Sequence, residues 1–296
     1  MPEIDLRGTY TAIVTPFKKD LSIDFDKFKS LIDFQIENGI DGIVVCGSTG
    51  ESATMSAKEK IALIITAVEH GKGRTKIIAG TGSNDTAESI TLSLLAKEAG
   101  VDALLLVCPY YNKPTQEGLY YHYKAIAEQV DIPQILYNVP SRSGVNIQAE
   151  IQLKLAKDCK NIVATKEASG NMEQVMEIIR KKPDNFYVLS GEDSLTVPLI
   201  AMGADGVIGV TPNYAPKMFS ETVSHALKGN IRTAARMHYK MFEMMQMNFI
   251  ESNPIPVKAV LAMMGKLEEN YRSPMYPMHP DNRKKLEKAV RRLKLI

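Results

Sequence analysis

Lys166 closes the apolar run Ile162-Val163-Ala164-Thr165 and is followed at once by Glu167. A lysine that ends a buried strand has two fates. It snorkels to water with its stem along apolar surface, or it sits in a water-poor pocket as an amine that condenses with a carbonyl. The second fate needs the neutral amine. A lysine side chain in water is only about 0.1% neutral near pH 7.5, a handicap of roughly 4 kcal/mol. An apolar strand mouth reduces that handicap, because burial disfavours the charged form. Tyr137 ends the preceding apolar run, Gln134–Tyr137. A phenol beside such an amine can pass protons to and from a carbinolamine, as Schiff base formation requires; the alternative is a core tyrosine bonded to backbone. Gly47-Ser48-Thr49-Gly50-Glu51 offers two hydroxyls and successive backbone N–H groups in a glycine-flanked turn, a shape suited to a carboxylate. By itself that turn is equally an ordinary strand-to-helix connection.

Other chemistries find no support. The histidines, at positions 70, 122, 225, 238 and 279, form no close pair, so no metal site is expected. No Gly-x-Gly-x-x-Gly opens a helix, and no Walker loop or Gly-x-Ser-x-Gly elbow is present. Cys46, Cys108 and Cys159 are too dispersed for a disulfide framework; Cys46 and Cys108 lie in apolar runs and read as buried thiols of a reducing compartment. A formal charge of +2 gives no footprint for nucleic acid. The local basic cluster from Arg283 to Arg292 reads as the solvated face of a last helix. Met1–Gly8 carries charges where a signal peptide is apolar, and no segment stays apolar for the ~18 residues of a membrane helix. A cytoplasmic protein without a membrane span is expected.

Residues so far apart need a scaffold that collects strand ends. Eight short apolar runs recur: Thr9–Phe17, Gly42–Cys46, Lys76–Gly80, Ala103–Cys108, Gln134–Tyr137, Ile162–Thr165, Phe186–Leu189 and Gly206–Val210. They are continuous, as in parallel strands covered on both faces. Between them lie helical stripes. Phe28, Leu31, Ile32 and Ile36 share a face that Gly39 ends. Ser56-x-x-Glu59 is a capping box ahead of Ile61, Ile64, Ile65 and Val68, and Leu92, Leu94, Leu95 and Ala99 form another stripe before Gly100. The 296 residues are close to the ~250 of one (β/α)₈ TIM barrel. A closed barrel is therefore expected, with a doubly wound sheet still open on periodicity alone. The barrel takes residues 1–229, and residues 230–296 form a helical extension with no further strand. In that extension Met237, Met241, Phe242, Met244 and Met245 read as core filler. Asn253-Pro254 reads as an N-cap and first-turn proline of a helix that Gly265 ends.

In such a barrel the reactive groups project from the C-terminal strand ends. Those ends read Gly47–Glu51, Pro109-Tyr110-Tyr111-Asn112, Tyr137–Arg142, Lys166-Glu167, Ser190-Gly191-Glu192-Asp193 and Thr211-Pro212-Asn213.

Three of these segments, Gly47-Ser48-Thr49-Gly50-Glu51, Tyr137-Asn138-Val139-Pro140 and Lys166-Glu167-Ala168, resemble the signatures of the dihydrodipicolinate synthase and N-acetylneuraminate lyase family. Asn253-Pro254-Ile255-Pro256-Val257-Lys258 is similar to a helical segment of its synthase branch, and the likeness covers essentially the whole chain. The resemblance implies that Lys166 forms a Schiff base with pyruvate. It implies that Tyr137 is the central acid/base, relayed through Ser48 to Tyr111, and that Tyr111 reaches a neighbouring subunit's site. Ser48 and Thr49 are implied to hold the pyruvate carboxylate, with backbone contacts from Gly191 and Ile208. Arg142 matches the synthase residue that receives the carboxylate of L-aspartate 4-semialdehyde, and a guanidinium fork suits that group. The implied product is 4-hydroxy-tetrahydrodipicolinate, on the way to lysine and diaminopimelate, made by a homotetramer without metal or organic cofactor.

The chain departs from that pattern in places. Ser48 stands where the branch more often has threonine and lacks the methyl that fixes the rotamer. Ala57 and Lys60 stand where lysine-inhibited relatives often carry histidines, although Asn84, Glu88 and Tyr110 match the effector pocket. Weak or absent lysine feedback is expected. A pyruvate-releasing sugar-acid aldolase, a binding-only relative and a purely structural barrel remain alternatives, with Arg142 against the first and Lys166 and Tyr137 against the second.

Overall fold

A computed structural model describes residues 4–296; Met1–Glu3, the start of the charged N-terminal stretch, lie outside the described residues. Eight parallel strands close into a barrel in chain order. They are β1 (Gly8–Ala12), β2 (Gly42–Val45), β3 (Lys76–Gly80), β4 (Ala103–Val107), β5 (Gln134–Asn138), β6 (Ile162–Glu167), β7 (Tyr187–Ser190) and β8 (Gly206–Gly209). β8 pairs back onto β1, Tyr10 opposite Ile208, and that pairing excludes the open sheet. No helix among the described residues is long and apolar enough to cross a membrane.

Two apolar layers explain why the runs are continuous. Tyr10, Val44, Ile78, Leu105, Ile135, Ala164 and Leu189 fill the barrel interior. Val45, Ile77, Leu104, Leu136 and Val188 point outward, under helices such as Phe25–Glu37 and Gln116–Gln129. Side chains alternate along a strand, so Ala164 inward puts Lys166 inward too, and sends Thr165 and Glu167 outward.

Three details differ from the sequence reading. β1 stops at Ala12, although the apolar run continues to Phe17. Beyond Ala12 the backbone leaves the ladder: Ile13 N–H still reaches Val44 O, but Val14 N–H is taken by the Asn213 side chain. Ile13, Val14 and Phe17 are apolar because they pack in the outer layer. In the helix Thr86–Glu98 the buried face is Ser89, Leu92, Ser93 and Ala96, while Leu94 and Leu95 are exposed. Ser93 Oγ lies 2.8 Å from Thr81 Oγ1, and Ser89 Oγ accepts from Ser83 N–H. Small hydroxylic side chains let this helix approach the barrel, where leucines would hold it off.

The third difference is Asn253, which does not cap a helix. The helix Ile255–Met263 starts with Pro254 in the cap position. An Asn253 cap would accept from the N–H of residue 255 or 256; the first is given to Ser252 O and the second is a proline and has none.

Elsewhere the expected signals work. Ser56 and Glu59 form a reciprocal capping box, and Gly39, at φ +79°, occupies the left-handed position that ends the first helix. After residue 230 the chain forms helices Ile231–Met247, Ile255–Met263 and Pro280–Arg292, which pack on one another and on the barrel's last helical layer. Met241, Met244 and Met245 are buried there, and Cys46, Cys108 and Cys159 are buried within the barrel and its helical layer.

Candidate active site

Lys166 and Tyr137 are paired residues of adjacent strands, Cα opposite Cα, and both side chains enter the barrel mouth. Lys166 is 6% exposed, and its Nζ lies over the Tyr137 ring, 4.2 Å from the centroid. A cation over an aromatic face is held electrostatically. The same proximity puts the phenol next to any carbon that becomes bonded to Nζ. The amine does not snorkel to solvent.

These two residues belong to a cavity of about 560 Å³, counting its open mouth, whose wall also carries Ser48, Thr49, Arg142 and Gly191. Ser48 and Thr49 open a 3₁₀ turn, Ser48–Gly50, so no bond within the turn engages their leading N–H groups. Thr49 is buried, and its Oγ1 accepts from Asn253 Nδ2 at 2.9 Å. With that lone pair engaged, the Thr49 hydroxyl hydrogen is free to donate into the cavity. Arg142 sits on the one-turn helix Pro140–Ser143 just after β5, exposed, with one weak bond of 3.3 Å to Asn253 O. Gly191 must be glycine: a Cβ there would lie 2.6 Å from Ala168 Cβ. Its N–H is already given to Glu167 O at 2.7 Å, so any contact it makes with a ligand uses its carbonyl or Cα.

Two residues proposed from sequence lie elsewhere. Ile208 is 1% exposed within the barrel's inner layer, below the cavity wall. Tyr111 is 90% exposed, at φ +73°, and does not line the cavity of its own chain. Within one chain the Tyr137–Ser48–Tyr111 relay therefore has two of its three hydroxyls.

Two wall residues had no part in the site as read from the sequence. Asn253 orients Thr49 as described. Glu192, after β7, is the one carboxylate among the described lining residues. Burial raises its pKa, as does the neighbouring Asp193, and the Lys166 cation opposes this. Its signal was present, a strand-end acid beside Gly191, but nothing in the sequence tells a cavity-facing strand-end acid from a solvated one. Asp193 is buried beneath, accepting from the N–H groups of Val210 and Thr211, and burial raises its pKa.

Behind Lys166, on the outer face of β6, Glu167 is buried and pushed up to about 7 by loss of solvent. Hydrogen bonds from Gln174 (2.8 Å) and Asn138 (2.6 Å) oppose that shift. Among the described residues no cluster of three or more His, Cys, Asp or Glu side chains could hold a metal. The cavity thus collects an amine, a phenol, hydroxyl donors and a guanidinium: the groups for imine chemistry on a small acid with a second carboxylate nearby.

Comparison with known proteins shows likeness over almost the whole chain. A model of the Dihydrodipicolinate synthetase family matches residues 5–293. The 4-hydroxy-tetrahydrodipicolinate synthase of Koribacter versatilis (strain Ellin345) is 53% identical over 286 residues, 96% of this chain and 95% of that one. That of Aquifex aeolicus (strain VF5) is 46% identical over 289 residues, 98% of each chain. The crystal structure of dihydrodipicolinate synthase from Aquifex aeolicus superposes with a TM-score of 0.96, at 46% identity, covering 98% of this chain and 99% of that one.

Proposed function

The chain belongs to the Dihydrodipicolinate synthetase family, and we propose that it works through a Schiff base on Lys166. It is a class I aldolase-type lyase that condenses pyruvate with L-aspartate 4-semialdehyde to give 4-hydroxy-tetrahydrodipicolinate, in lysine and diaminopimelate biosynthesis. The observation that carries the residue assignment is the Lys166 Nζ stacked over Tyr137 in a cavity walled by Ser48, Thr49 and Arg142.

The neutral Lys166 amine attacks C2 of pyruvate, whose carboxylate sits on the Ser48–Thr49 turn. Tyr137 protonates the developing alkoxide, takes a proton back from the nitrogen and gives it to the departing hydroxyl, so water leaves and an iminium forms. The Tyr137 phenolate then takes a C3 proton to give the enamine, with the iminium nitrogen as electron sink; this is why the mechanism calls for no separate cofactor. The enamine carbon attacks the aldehyde of the second substrate, whose carboxylate is held by Arg142, and the new alkoxide takes a proton. The amine of that substrate then adds to C2 and displaces Lys166, closing the ring and restoring the enzyme. Glu192 faces the cavity as counter-charge for that ammonium until it loses its proton.

Tyr111 completes the proton relay from a second copy of the chain, and its exposure on an isolated chain supports that assignment. We read the assembly as a homotetramer and the reaction as cytoplasmic. The test is turnover of the two substrates coupled to the downstream nicotinamide-dependent reductase, with borohydride trapping of a pyruvate adduct. Lys166→Ala is expected to abolish both. A trapped adduct that survives in Lys166→Ala would sink the assignment.

A further inference from the structure

We propose that the buried Glu51–Lys258 ion pair holds the Ser48–Thr49 turn in register with Lys166, making Glu51 and Lys258 positioning residues for the keto-acid carboxylate. This rests on the reading of that turn as the carboxylate site.

Two 3₁₀ bonds, Gly50 N–H to Gly47 O and Glu51 N–H to Ser48 O, and the Thr15 hydroxyl on Gly50 O shape the turn, but none of them reaches the Glu51 side chain. Two short 3₁₀ turns, Ser48–Gly50 and Ser52–Thr54, meet at Glu51, whose φ is +56°. A side-chain-bearing residue rarely adopts that conformation, and persists there only where its surroundings over-determine it. The surroundings here come from the other end of the chain. Lys258 Nζ donates to Glu51 Oε1 at 2.6 Å and to Asn270 O at 2.5 Å, and lies over the rings of Phe17 (4.4 Å) and Tyr271 (5.1 Å). Glu51 Oε2 accepts from Arg272 N–H at 3.3 Å. Both side chains are out of solvent, at 0% and 1% exposure.

Lys258 belongs to the helix Ile255–Met263, and that helix follows directly on Asn253. One segment therefore grips the turn twice, Asn253 at Thr49 and Lys258 at Glu51, two residues apart. A buried ion pair is a poor way to gain stability, because desolvation of both ions offsets most of their attraction and an apolar pair of similar volume does as well. What the ion pair supplies is direction: hydrogen-bond geometry fixes the Glu51 carboxylate, and through a strained residue it fixes the two N–H and hydroxyl groups just before it. A displacement of the order of 1 Å in such a group is enough to cost about a hundredfold in rate.

Lys258→Met and the double variant Glu51→Gln/Lys258→Met separate position from stability, since the double variant buries no unpaired charge. The readouts are the thermal midpoint, the pyruvate concentration for half-maximal borohydride trapping, and KM for each substrate. Both variants are expected to raise half-saturating pyruvate by about tenfold or more while the aldehyde KM stays within about twofold. The double variant is expected to do so at a near-parental melting temperature. Lys258→Gln, whose amide can still donate to Glu51, carries the comparison should the methionine variants not fold. A folded double variant with parental pyruvate saturation would overturn the proposal and leave the pair as packing. Thr49→Val is the control on the underlying reading. If it leaves pyruvate saturation unchanged, the turn is not the carboxylate site, and the inference falls with that reading whatever Lys258 does.

Discussion

Replacing Arg142 with alanine removes the group assigned to the second substrate's carboxylate while leaving the amine chemistry in place. The guanidinium stands on the cavity wall, exposed and with one protein bond, of 3.3 Å, to Asn253 O. That bond uses one Nη2 hydrogen, which leaves one edge of the fork free for a bidentate contact. A hydrogen bond to a charged group contributes about 1.5–3 kcal/mol, and solvent at the mouth argues for the low end. Two such bonds give roughly 3 kcal/mol, or about 150-fold at 1.4 kcal/mol per decade. Arg142→Lys keeps the charge but offers one contact in place of two, for roughly 1.5 kcal/mol and about tenfold. The coupled assay reads this as a fall in kcat/KM for the aldehyde of those sizes. Pyruvate trapping by borohydride should half-saturate within about twofold of the parent, because the link from Arg142 to the Thr49 side runs only through the long Asn253 bond. An equal loss for pyruvate and aldehyde would refute the assignment of Arg142 to the second substrate. An unchanged aldehyde KM would make it a surface arginine, and the sugar-acid aldolases would return as candidates.

Tyr111→Phe should lower turnover by more than tenfold, yet leave the yield of borohydride-trapped adduct nearly intact. Mixing Tyr111→Phe with a Lys166→Ala partner should restore part of the turnover in the mixed assembly; no restoration would count against sharing between copies. Glu167 carries a pH prediction. Its pKa is raised from 4.5 to about 7 by burial, so the folded protein keeps a proton that the unfolded chain releases. The resulting stability is complete below about pH 4.5 and is lost as pH rises through about 7, a change of roughly 3 kcal/mol. Glu167→Gln cannot ionise, so its urea midpoint should fall less than the parent's between about pH 5 and about pH 8, by the share that Glu167 contributes; a parental slope would refute the account. Lysine feedback should be weak. Lys60 lines an outer groove together with Glu88 and Tyr110, and its ammonium repels a cationic effector. Half-inhibition at micromolar lysine in the coupled assay would overturn that expectation.

Much of the barrel was legible in the sequence because its periodicities are local. Buried parallel strands are apolar on both faces, so all eight runs announced themselves, and β3 has the very bounds that its run gives. The reading failed where an apolar residue is buried for some other reason. Ile13 to Phe17 pack as loop residues of the outer layer, and the helix Thr86–Glu98 seats serines where leucines were expected. Strand-end position also picked out Lys166 and Tyr137, since inward alternation from Ala164 and Ile135 delivers both to one mouth.

The tertiary structure decided what long-range closure decides. Asn253 and Lys258 stand more than two hundred positions from Thr49 and Glu51, and no local pattern records that they meet. Asn253-Pro254 looked like a helix cap because caps are local; its actual partner is set by how the C-terminal helices dock. The exposure of Tyr111 and the burial of Glu51 are likewise properties of the packed whole. The sequence by itself determined the strands, the mouth to which they point and the amine and phenol that meet in it. Which distant side chains brace that mouth was decided only on folding, because burial and hydrogen-bond partnership belong to surfaces that do not exist until the chain has closed on itself.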